Sequence, residues 1–198
     1  MTEDKVRPAH HHGNLRAALI NAGIALLHGG GTEALTLRKA AAMAGVSHAA
    51  PAHHFDGIEG LRAAIVEEAF RLFTDHMTKA RDSGPQDPRA RLRGICLGYL
   101  RFAEAEPALF DLIFGFSTRK LEKHGISDVG QPAYMVLRDA CAPFVPPGTD
   151  PVAVETRVWS LIHGYAALRL SGRFAGTAAT GFDSVIALLD SIGTDARS

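Results

Sequence analysis

Apolar positions recur at spacings of three and four along nearly the whole chain, and no segment alternates apolar with polar residues as a half-buried strand would. A first helix is predicted from about Asn14 to Leu27, with Leu15, Leu19, Ala22 and Leu26 on one face and Gly29-Gly30-Gly31 as its stop. Next, Leu37, Ala40, Ala41 and Ala44 share a face. Thr36 stands at the N-cap position before them, and Gly45 is suited to the left-handed turn that ends a helix. Ser47 is a second N-cap candidate, opening a short helix from Ser47 to His54. Val46 plugs the angle between the two short helices. Such a small, alanine-rich unit over residues 35–54 lets two helices cross closely, which is helix-turn-helix geometry.

Asp56 is placed to cap a fourth helix running to about Arg81, with Ile58, Leu61, Ile65, Ala69, Leu72, Phe73 and Met77 on its buried face. At 1.5 Å per residue it is more than about 30 Å long, a lever between the first three helices and the C-terminal half of the chain. Asp82 to Pro88 reads as a linker rich in turn residues. Beyond it, Leu92, Ile95, Cys96, Tyr99, Phe102 and Ala103 form a stripe ended by Glu106-Pro107, and a short segment holds Leu109, Phe110, Ile113, Phe114 and Phe116. A polar stretch from about Lys120 to Gly130 precedes a helix with Tyr134, Leu137 and Cys141. Asp150-Pro151 has the form of a helix start, and Val154, Val158, Leu161, Tyr165 and Leu168 come after it at heptad-like spacing. A last helix carries Phe182, Val185, Ile186, Leu189 and Ile192. The expected fold is all-α: an N-terminal three-helix unit over residues 11–75, joined by the long helix to a second helical domain over residues 85–193.

Composition adds that 46% apolar and 21% charged residues suffice for a proper core. No run is long and apolar enough for a membrane span, and the N-terminus lacks the apolar core of a signal peptide, so no membrane role is expected. Cys96 and Cys141 both fall in helical patterns, which argues against a disulfide framework and for a reduced, cytoplasmic setting.

Net charge is zero, but its distribution is not even. Between Lys5 and His54 the basic residues Lys5, Arg7, Arg16, Arg38 and Lys39 face Glu33 alone, and seven of the ten histidines lie in the same stretch. A local basic face is what phosphate contacts need. Residues 1–9 read as a mobile arm. His10, His11 and His12 admit a tag remnant or a metal site, but no fourth, distant ligand is spaced for one, and neither HExxH nor H-x3-H occurs. No cofactor, metal or catalytic set is expected.

His11-His12-Gly13-Asn14-Leu15, the glycine-rich exit of the first helix, Leu37-Arg38, Ala44-Gly45-Val46-Ser47, His53-His54-Phe55 and Glu59-x-Leu61 together resemble the tetracycline-repressor family of bacterial regulators over about residues 11–75. Trp159 and His163-Gly164 resemble a subgroup with Trp then His-Gly in the penultimate helix of its ligand domain. The resemblance implies a homodimer that binds a palindromic operator and releases it when a small molecule occupies the C-terminal domain. Its second short helix would enter the major groove. Thr36, Arg38 and His53 are then phosphate candidates, Ser47 could hold a phosphate or touch a base edge, and His48 and Ala49 sit where base edges are read. For each, plain capping or solvation is the alternative. Many family members carry tyrosine where Ala52 stands and lysine where Ile58 stands, both phosphate contacts, so a lighter grip is expected here. Histidines on that face imply tighter DNA binding as pH falls toward 6.

In the C-terminal domain Phe102, Phe110, Phe114, Phe116, Met135 and Trp159 are pocket candidates, with Tyr99 and His163 as polar anchors, for a small hydrophobic or aromatic ligand. A filled helical core is the alternative, as is a regulator without a small-molecule ligand. A metal site joining His163 with Asp111 or His124 has no supporting spacing. The last two helices, about 151–172 and 180–193, offer seams for a four-helix dimer interface, flanked by Arg157, Arg169 and Arg173. Leu168 and Leu189 are the positions whose charging would break it.

Overall fold

The structure, a computed structural model, describes residues 11–115, 128–172 and 182–192. For 11–14 it gives the backbone course alone. The arm, His10, Phe116, His124 and Arg173 lie outside the described residues, as do the side chains of His11, His12 and Asn14. Among the described residues the secondary structure is helical, with no strand.

Helix α1 (His11–Ala34) is broken where the glycine run predicted a stop, Gly30 being extended and Gly31 left-handed at φ 64°. Its buried face is wider than the stripe predicted. Leu19, Ile20, Ala22 and Leu27 are buried, whereas Leu15 and Leu26 are half-buried. Helix α2 (Leu37–Met43) starts as expected, Thr36 Oγ1 accepting the Lys39 N–H at 3.2 Å. It ends in a Schellman turn: Gly45 N–H donates to Ala42 O and Val46 N–H to Ala41 O, with Gly45 at φ 69°. That conformation costs glycine nothing and other residues about 1 kcal/mol or more.

The second short helix is not α-helical. Ser47 has no regular structure, His48 and Ala49 form a turn, and only Ala50–His53 coils, as a 3₁₀ helix. Pro51 is the cause. In an α-helix from Ser47 its nitrogen would donate to the Ser47 carbonyl, which proline cannot do, and its ring would collide with that carbonyl. Instead Ala50 N–H takes the Ser47 carbonyl at 3.0 Å, and Ala49, not Ser47, is the cap residue, without a side-chain bond. Pro51 and Phe55 turn inward to anchor the segment.

Helix α3 (Gly57–Asp82) has 26 residues, roughly 39 Å at 1.5 Å per residue. Asp56 precedes it but accepts no capping bond. Leu61 and Ile65 are fully buried, and Gly23 of α1 faces Ile65 so closely that an added Cβ would stand 2.6 Å from Ile65 Cδ1. Farther along, α3 packs against the helices of the C-terminal half. Residues 83–87 reverse the chain into α4 (Pro88–Ala105), capped by Asp87 Oδ1 on the Ala90 N–H at 2.9 Å. The antiparallel pair touches through Gly94 and Gly98: a Cβ at Gly98 would meet His76 O at 2.3 Å and Met77 Cα at 2.5 Å. Backbone lies against backbone there.

Helix α5 (Pro107–Phe114) comes at once after it, and Glu106 between them meets His28 Nε2 of α1 at 2.8 Å, a second tie between the two ends of the molecule. Helix α6 (Gln131–Cys141) and α7 (Pro151–Leu170) follow, α7 starting with Asp150 accepting from the Val152 N–H at 3.0 Å. Helix α8 (Phe182–Ser191) is short and is held by α4. Arg89, stacked 4.1 Å over Phe144, donates to the carbonyls of Leu189 and Ile192, where cationic donors suit the negative end of a helix. Arg93 pairs with Asp190.

One apolar core runs from Leu19 to Leu189. Leu168, the last of the heptad-like positions of α7 and a residue expected in the subunit seam, is exposed, as are Val152 and Trp159 on the same helix and Leu188 on α8. Leu189, expected at the interface, is fully buried within the chain's own core.

Candidate functional site

Two sites share the molecule, one at each end of α3. At the first, Thr36, Arg38, Lys39, Ser47, His48, Ala49 and His53 are all exposed. The cap, the glycine turn and the buried Pro51 hold α2 and the 3₁₀ helix together, so these side chains project from one small rigid unit. Arg38 and Lys39 make no ion pair among the described residues, unlike Arg16, Arg62, Arg71, Arg81, Arg93 and Arg169, each of which has a carboxylate partner. The cations left to solvent on this face are therefore free to meet an anion. Ala52 is exposed and supplies no donor, and Ile58 is half-buried against the core.

At the other end a cavity of about 330 Å³ lies between α3, α4, α5, α6 and α7. Three expected residues line it: Tyr99, Phe114 and Trp159. Four do not. Phe102 lies three residues beyond Tyr99, turned roughly 60° from it around α4, and it is fully buried against Phe73 at 5.2 Å and His76 at 5.8 Å. Phe110 stacks on His163 at 5.5 Å behind the wall. Met135 points away, its sulfur taking an N–H from Arg138 at 3.9 Å, and its neighbour Tyr134 faces the cavity instead. His163 stands behind Tyr99, its Nδ1 2.7 Å from the phenol oxygen. Phe70, Phe73 and Met77 of α3 and Ile95 and Cys96 of α4 are walls that sequence reasoning did not single out. A signal existed for the first three: the apolar face of the long helix continues past the reach of the first three helices and so must face something else.

The polar groups around the cavity are mutually satisfied. Burial pushes the Tyr99 phenol well above its usual range, the Trp159 indole pulling the other way as a hydrogen-bond donor. Burial lowers the His163 imidazole below the ordinary histidine value. Both are thus neutral near pH 7, and one proton is shared between the phenol oxygen and Nδ1, the imidazole tautomer setting which of the two donates. Tyr134 donates to Glu155, which raises the phenol's own value, and Glu155 is only 4% exposed. Burial pushes Cys141 up to about 12, with the charge of Glu155 adding to the effect, and burial raises Cys96 further. Both thiols are free, buried and inert. Among the described residues no three metal-binding side chains come together, and no helix is long and apolar enough to cross a membrane.

An exposed helix-turn-helix face thus lies at one end of the long helix and an apolar cavity at the other. Residues 92–192 match the family described as "Tetracyclin repressor-like, C-terminal domain", and the chain belongs to that family of transcriptional regulators. Among solved structures, a protein with unknown function from Rhodococcus sp. RHA1 is 26% identical, with TM-score 0.76 over 96% of this chain and 98% of that one. A TetR family transcription regulator from Marinobacter aquaeolei VT8 is 20% identical, with TM-score 0.63 over 92% of this chain and 95% of that one. The transcriptional regulator FadR from Bacillus subtilis, solved in complex with stearoyl-CoA, shares the fold at 15% identity, TM-score 0.69, over 87% and 96%. No curated protein matches the sequence. The family, and the fold neighbours from Marinobacter aquaeolei and Bacillus subtilis, are transcription regulators.

Proposed function

We propose that the protein is a homodimeric operator-binding regulator, a repressor that leaves its DNA when a small, largely apolar molecule enters the cavity. The observation that carries this is the double role of α3. Its first half supplies Leu61 and Ile65 to the core of the helix-turn-helix head, and its second half supplies Phe70, Phe73 and Met77 to the cavity wall. A helix is stiff over this length, so a ligand that shifts its distal half re-aims the head, and differential affinity for two head positions becomes a change in DNA affinity.

In this reading the 3₁₀ helix meets the major groove with His48 and Ala49 at its tip, and Ser47 beside them. Thr36, Arg38 and His53 hold phosphates. Two heads, set by pairing of α7 and α8 with their copies, would read a palindrome. The exposed Val152, Trp159, Leu168 and Leu188 support that interface, being apolar surface on those two helices. Occupancy by a small molecule is supported by the cavity volume, which falls in the usual range for such sites, and by the stearoyl-CoA complex of a regulator with the same fold. A ligand-free regulator would instead have a filled core around Trp159.

Fluorescence anisotropy with labelled duplex DNA tests the head. Arg38→Gln should weaken binding and lower the salt slope by about one unit, as one lost phosphate contact does. An unchanged slope removes Arg38 from the interface, and no duplex binding even at low salt removes the whole reading.

A further inference from the structure

Resting on the ligand-sensing reading, we propose that the molecule this cavity takes is a lipophilic cation, an amine or quaternary ammonium carried on an aromatic-sized body. The walls include the rings of Phe70, Phe73, Tyr99, Phe114, Tyr134 and Trp159. Ring faces attract cations, most of all where water is excluded. The described lining residues include no lysine, arginine or histidine, so nothing among them repels a positive charge or pairs with a negative one. His163 behind the wall adds none, since burial favours its neutral form.

The second, independent observation is Glu155. This carboxylate is 4% exposed, accepts the Tyr134 hydroxyl, and takes part in no ion pair among the described residues. Tyr134 is itself a wall residue, so the carboxylate stands one hydrogen bond behind the lining. Glu155 and Trp159 are also one turn apart on α7, on the same side of the helix. Arg138, a turn beyond Tyr134, is exposed and engages Met135 instead. A buried carboxylate without a cation is costly. A cation seated against Trp159 and Tyr134 offsets that cost and is held by it. An anionic headgroup, such as the phosphates of an acyl-CoA, finds the opposite field.

Trp159 is the protein's single tryptophan and lines the cavity, so its fluorescence reports occupancy. The full-length protein should be titrated with benzyltrimethylammonium, its neutral isostere neopentylbenzene, and octanoyl-CoA, with calorimetry in parallel. The cation should bind about tenfold more tightly than the isostere, and Glu155→Gln should erase that margin while leaving the isostere unchanged. Equal or tighter binding of the isostere, or tightest binding of the acyl-CoA, overturns the charge assignment and leaves the ligand-sensing reading standing. Failure of all three to bind removes both. If Glu155→Gln does not fold, the ranking of the three probes on the unaltered protein still decides.

Discussion

Tyr99 on α4 and His163 on α7 are joined side chain to side chain, the phenol oxygen 2.7 Å from Nδ1. The pair pins two helices that wall the cavity, and Phe110 and Phe114 close over the imidazole at 5.5 and 5.1 Å. Each partner satisfies the other, so the two act as a strut in the wall.

That strut makes stability depend on pH. Burial lowers the folded-state value of His163, so between it and the ordinary histidine value, about 6.5, the unfolded chain binds a proton that the folded chain does not. Stability from this group is therefore complete above the ordinary value and is lost as pH falls toward the folded one. Urea midpoints at pH 5 and 7.5 should differ more in the unaltered protein than in His163→Asn, which keeps a hydrogen-bonding partner for Tyr99. Equal differences would remove the assignment.

The α3–α4 contact offers the sharpest mutation. Gly98→Ala places a Cβ 2.3 Å from His76 O, a backbone atom that cannot swing aside. Destabilisation should be about 1–3 kcal/mol or more by chemical denaturation. A neutral effect would mean that the helices lie farther apart than described.

At the head, Thr36→Ala should cost about 1 kcal/mol of stability through loss of the cap on the Lys39 N–H. Thr36→Ser should recover most of it. If alanine matches threonine in thermal denaturation, the cap contributes nothing.

Adjacent leucines on α8 separate the proposed interface from the core. Leu188 is 56% exposed and Leu189 fully buried. Leu188→Glu should give folded monomers by light scattering, whereas Leu189→Glu should unfold the chain. A Leu188→Glu protein that remains dimeric would place the interface elsewhere.

These neighbours also mark where sequence reading reaches its limit. Helical periodicity locates the α3 face from Leu61 to Met77, because three- and four-residue spacing comes directly from helix geometry. Thr36 and Gly45 are legible because capping and left-handed turns are local chemistry. Pro51 is legible in principle, since its effect on the second short helix stems from a missing N–H, yet the alanine-rich pattern around it hides that effect. The cavity is only partly legible. Whether Phe102 or Phe73, Met135 or Tyr134, turns toward a cavity depends on how helices cross. A rotation of one residue, about 100°, exchanges wall for core.

That one helix joins a DNA-reading head to a dimer core is tested most directly by selecting bound sequences from random duplex DNA with the full-length protein. A palindrome should be enriched, with half-sites about one helical turn, or a multiple of it, apart. Enrichment of a single non-repeated site, or none at all, would contradict it.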